Sequence, residues 1–94
     1  MKLVVIAAVA STFALGAAAA QAQEALAQSS GCLTCHAAAT KKVGPSFKDI
    51  SAKYKGKSDA EAQLVAKLKE GKGHPAVKTS EADTKSLVSW ILTM

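Results

Sequence analysis

Two cysteines and a histidine fall within five consecutive positions, Cys32-Leu33-Thr34-Cys35-His36, and they are the only cysteines in the chain. Residues of these types at this spacing serve three chemistries: a zinc clip, a redox dithiol, or covalent attachment of a haem. A closed zinc site needs four nitrogen or sulfur ligands, usually with a second Cys or His pair a dozen or more residues downstream. Beyond His36 the chain offers only His74. A redox dithiol is built on Cys-x-x-Cys within a βαβ pattern, and no strand alternation is visible here. Covalent haem needs what the motif has: two thiols one helical turn apart for thioethers, and an adjacent histidine that meets the iron from the same face.

Such a histidine needs an acceptor for its other ring N–H, and the Pro45 region is the candidate. Apolar walls are also needed. Val43, Phe47, Ile50, Leu64, Leu68, Leu87 and Ile91 are available, each of which ordinary core packing would also explain.

The N-terminal sequence suggests that the motif belongs to an exported chain. Lys2 is the only charge before Glu24, the run from Leu3 to Ala20 is small or apolar, and Ala20-Gln21-Ala22 is an A-x-A cleavage site. Residues 1–22 therefore read as a secretory signal peptide and 23–94 as the mature domain. A domain of that size draws only a few kcal/mol from its core alone. A Cys32–Cys35 bridge would close too short a loop to help, so a bound cofactor is expected as the staple.

The elements that must position the motif read as helices. Glu24–Ser30 is a short leading helix. Pro45 suits a first helical turn, and Phe47, Ile50 and Tyr54 recur at helical spacing up to Gly56. Ser58-Asp59-Ala60-Glu61 reads as a capping box for a helix with the stripe Ala60, Leu64, Val65, Leu68, ended by Gly71. Ser80-Glu81-Ala82-Asp83 opens the last helix, whose face is Leu87, Trp90, Ile91 and Met94. The fold class is all-α, three to five helices around one covalently attached haem.

With "GCLTCH", the "KKVGPSFKDISAKY" stretch, the "SDAEAQLVAKLKEG" helix and the closing "SEADTKSLVSWIL", the chain from about Glu24 onward resembles the class I monohaem cytochromes c of the short bacterial periplasmic type. The resemblance implies thioethers at Cys32 and Cys35, His36 as proximal ligand, Pro45 supplying its carbonyl acceptor, and Phe47, Leu64 and Leu68 lining the haem pocket. It implies terminal helices crossing beside the haem with Trp90 on the last. Ala27 stands where the first helix usually presents an aromatic, so that packing is expected to be missing.

The family places a methionine, usually followed by proline, in the loop before the last helix. This chain has only Met1 and Met94, and at the matching distance from Trp90 it has His74-Pro75. His74 is the expected distal ligand, with an open site, Lys72, Lys78 or Met94 as the other possibilities. Imidazole in place of thioether lowers the potential. The function implied is non-enzymatic electron transfer. The alternatives are a haem-based sensor or gas-binding module, and last a small peroxidase.

All basic residues are lysines and aromatics are few, which does not fit nucleic-acid recognition. A lysine face steering the protein to redox partners with acidic docking surfaces fits better. A periplasmic protein without membrane insertion after cleavage is expected, either a monomer or the haem subunit of an oxidoreductase.

Overall fold

The computed structural model describes the backbone of residues 11–94 and the side-chain exposure of residues 18–94. Lys2 and the first part of the apolar run assigned to the signal peptide, residues 3–10, lie outside the described residues. Four helices follow: α1 (Ser11–Ser29), α2 (Phe47–Tyr54), α3 (Ala60–Glu70) and α4 (Glu81–Ile91), with a 3₁₀ turn at Cys32–Thr34 between α1 and α2. Among the described residues there is no strand, in line with the all-α expectation. None of these helices is long and apolar enough to cross a membrane.

The first helix is longer than the expected Glu24–Ser30. Alanines and glutamines between residues 17 and 23 are good helix formers and carry it back across the A-x-A site. Among the side chains described, its last part packs. Residues 18–22 are exposed, whereas Gln23 donates from Nε2 to Ser86 Oγ of α4 at 2.6 Å and Ala27 is completely buried. Helix α1 thus closes onto α4 over a small residue. Trp90 finds its aromatic neighbour on α2 instead, Phe47 lying edge-on with ring centroids 5.8 Å apart.

Two helix starts differ from the sequence reading. Helix α2 opens at Phe47, two residues after Pro45, with Ser46 as the N-cap accepting from the Asp49 amide at 3.1 Å. The amides of Phe47 and Lys48 donate to the carbonyls of Ala37 and Ala38, and that of Ile50 to Ser46. All four amides at this terminus are therefore satisfied. Ser58 does not cap α3. The chain enters through a turn closed by Ala60 N–H to the Lys57 carbonyl, which puts Asp59 at the N-cap with no side-chain cap bond. Helix α4 starts as expected, Ser80 Oγ accepting from Asp83.

The core is small: Ala27, Phe47, Ala60, Leu87, Val88 and Ile91 are its buried apolar residues. Buried Ser51 is satisfied by donating to the Leu92 carbonyl at 3.0 Å, which ties α2 to the end of α4.

Candidate functional site

The cysteine motif sits where α1 ends. Gly31 takes a left-handed conformation (φ 83°) that ordinary residues avoid, and this turns the chain into the 3₁₀ segment. The amides of Cys35 and His36 then both donate to the Cys32 carbonyl, at 3.3 and 3.0 Å. One turn of backbone therefore carries both thiols and the imidazole. Both cysteines are free and half-buried. Desolvation pushes the free Cys32 thiol above its ordinary value, partly opposed by a backbone hydrogen bond.

The loop after His36 folds back on this turn. Gly44 N–H donates to the Cys35 carbonyl at 2.7 Å, and Lys42 Nζ to the Leu33 carbonyl at 2.9 Å. His36 Nδ1 lies 2.6 Å from the Pro45 carbonyl. Because Pro45 precedes the helix, no amide four residues on claims that oxygen; the first helical bond of α2 goes to Ser46. A Cβ at residue 44 would sit 2.5 Å from His36 Cε1 and 2.9 Å from Nδ1, so only glycine leaves room for the ring. Sequence reading marks Pro45 but misses Gly44; the Gly-Pro pair is visible as a turn, not as a cradle.

His74 comes to the same place from the other end of the domain. Its ring centroid is 5.9 Å from that of His36, with the planes within 6° of each other. Its Nδ1 is 2.7 Å from the Pro75 carbonyl. Phe47 flanks His36 with ring centroids 5.5 Å apart. Of the other expected pocket residues, Leu64 and Leu68 are half-buried one turn apart on α3. Leu68 adjoins the His74 loop, its carbonyl accepting from Val77 at 2.9 Å. Val43, expected as a wall, stands outside the core at 82% exposure.

The donor set fits a covalently attached haem: two free thiols on one turn, an imidazole with Nδ1 already committed, and a glycine cradle that a Cβ would fill. Among the described residues no group of three or more His, Cys, Asp or Glu could hold a metal ion by itself, so the zinc alternative finds no ligand set.

The chain is similar to known cytochromes c. The family profile of cytochrome c matches residues 16–94. The chain is 45% identical over 83 residues to cytochrome c-552 of Nitrosomonas europaea, covering 80% of this chain and 81% of the relative. It is 43% identical over 77 residues to cytochrome c-551 of Azotobacter vinelandii, covering 74% and 94%. Among solved structures, it is similar to the class 1 cytochrome MtoD of Sideroxydans lithotrophicus ES-1, with a TM-score of 0.72, 35% identity and coverage of 78% and 92%. For wild-type Nitrosomonas europaea cytochrome c552 the TM-score is 0.67 at 42% identity, covering 74% and 96%.

Proposed function

The chain belongs to the cytochrome c family of electron-transfer haem proteins, and we propose, from the pairing of its two imidazoles, that it holds its iron between His36 and His74 and works at lower potential than methionine-ligated relatives. It carries one covalently attached haem c. That group supplies a one-electron change at iron. Thioether bonds from Cys32 and Cys35, the proximal bond from His36 and the Pro45 carbonyl behind it are the chain's part on one side; His74 is its part on the other.

The observation that carries the bis-histidine reading is the pairing of the two imidazoles. Two metal–nitrogen bonds of about 2 Å each, with about 1 Å from each nitrogen to its ring centre, call for centroids about 6 Å apart. The rings stand 5.9 Å apart. Each Nδ1 is occupied by a proline carbonyl, at 2.6 Å for His36 and 2.7 Å for His74, which reserves each Nε2 for a metal. Of the competing donors, Lys78 is exposed. Lys72 pairs with Glu70 at 3.2 Å and is 81% exposed, and Met94 lies past the end of α4, its amide bonded to the Ile91 carbonyl. Electron paramagnetic resonance of the oxidised protein tests the reading, a two-imidazole low-spin signal being expected.

We propose a non-enzymatic carrier whose partner presents acidic groups. Between residues 41 and 57 there are six lysines and one acid, Asp49; after that segment five lysines meet five acids, and before it from Gln23 onward there is only Glu24. The whole positive excess of the mature chain therefore lies in the segment from Lys41 to Lys57, which runs from the loop after His36 through α2 to the turn that follows it. All six of these lysines are exposed, with exposed Val43 among them. A concentration of exposed positive charge suits brief, electrostatically steered docking to an acidic partner. Reversing Lys48 and Lys53 to Glu is expected to slow electron exchange with an acidic redox protein by about tenfold at low salt and much less at high salt. Exchange rates unchanged at low salt would sink this surface.

We also propose export to the periplasm with cleavage before Gln23. Among the described side chains, Gln23 bonds to the domain through Ser86, and residues 18–22 before it are exposed.

A further inference from the structure

The loop that carries His74 is more constrained than its length suggests. Helix α3 ends at Gly71, left-handed at φ 73°, whose amide donates to the Lys67 carbonyl at 3.0 Å. The chain then turns so tightly that a Cβ on Gly71 would meet Ala76 Cβ at 3.2 Å and the His74 carbonyl at 3.4 Å. Val77 N–H closes the loop by donating to the Leu68 carbonyl at 2.9 Å. Between these fixed points Gly73 is left-handed as well, at φ 69°. Pro75 sets its own φ, biases His74 toward an extended backbone, and accepts from the His74 ring.

The two glycines differ in kind. Gly71 is required both by its conformation and by the space Ala76 takes. Gly73 faces open space: a Cβ added there would have Lys67 Cε, 3.8 Å away, as its nearest neighbour. Its positive φ alone calls for glycine, because an ordinary L residue avoids that region while asparagine tolerates it.

We propose that Gly73 is the positioning residue for His74. The left-handed step there aims the imidazole at its iron position, and the clip from Gly71 to Val77 holds it, so that the iron stays closed to small ligands in both oxidation states. The proposal rests on the bis-histidine reading. With the loop ordered in advance, little conformational freedom is lost when His74 binds, and each opening must break the clip. The predicted consequence is a carrier and not a gas-binding protein.

The test uses holoprotein bearing Gly73→Val, with Gly73→Ala as the gentler form, Gly73→Asn as rescue, and Gly56→Val as control. Gly56 has the same kind of backbone (φ 80°, nothing within 4 Å of an added Cβ) but lies past the end of α2. Binding rates of carbon monoxide to reduced protein and cyanide to oxidised protein are read beside the thermal midpoint. Wild type, Gly73→Asn and Gly56→Val are expected to bind slowly, and Gly73→Val about tenfold faster as its open population rises. Both valine variants should lose thermal stability. If Gly73→Val and Gly73→Ala bind ligands no faster than Gly56→Val, the positioning role is overturned. Rapid binding by the wild type would instead overturn the bis-histidine reading beneath it.

Discussion

Replacing His74 with methionine is expected to raise the reduction potential by an amount of the order of 0.1 V or more, a fraction of the roughly 0.8 V over which axial ligands tune haem. A thioether favours ferrous iron more than imidazole does, so the oxidised form loses stabilisation on substitution. The substitution leaves Pro75 and the left-handed Gly71 and Gly73 in place, so the loop still delivers residue 74 to the same side of the site. Methionine is also long and unbranched enough to adapt. Redox titration of wild type and variant measures the shift. Equal potentials would mean that residue 74 is not an iron ligand in the wild type.

The second large effect is on folding. Export of a Cys32→Ala, Cys35→Ala double variant is expected to yield protein without covalent haem and with most of its helical signal lost at 25 °C. Among the described residues the buried apolar core consists of six side chains, two of them alanines, and Phe47 and Val88 are the largest of those fully enclosed. A mature domain of some seventy residues with that core has a stability of a few kcal/mol at most, which conformational entropy can cancel. The two thioethers make retention of the cofactor an intramolecular matter, and a group bound only to the folded state stabilises that state. Circular dichroism reads the fold. Intact mass reads the haem, together with the proposed start of the mature chain at Gln23. A double variant that unfolds cooperatively near the wild-type temperature would show that the polypeptide core suffices alone.

Local chemistry is legible in the sequence. Cys32, Cys35 and His36 declare themselves because attachment needs both thiols and the ligand on one turn. Helix α4 is readable from Ser80-Glu81-Ala82-Asp83 and the stripe that follows. Ser46-Phe47-Lys48-Asp49 has the same Ser-x-x-acid pattern and is overlooked, because Pro45 draws the helix start toward itself. Ser58-Asp59-Ala60-Glu61 looks like a better box, yet the turn from Tyr54 to Ala60 carries the chain past Ser58 before the helix opens. Such competition between neighbouring caps is settled by how the preceding loop arrives.

Tertiary relations are less readable. Nothing in the spacing of His36 and His74 says that their rings come together; only the resemblance to a family with a ligand at that place suggests it. Ala27 implies a missing aromatic contact, and the fold meets it by a close crossing of α1 with α4 and by bringing Phe47 against Trp90. The glycines are visible as turn residues. That Gly44 makes room for the His36 ring, and that Gly73 differs from Gly71 in having open space, depends on the distances to the atoms around them.

The most direct test of the central claim is low-temperature electron paramagnetic resonance of the oxidised protein beside its His74→Ala variant. The pairing of His36 and His74 with ring planes within 6° predicts a rhombic low-spin signal of two near-parallel imidazoles, lost when His74 is replaced. A histidine–methionine signal in the wild type, or a spectrum that His74→Ala leaves unchanged, would contradict it.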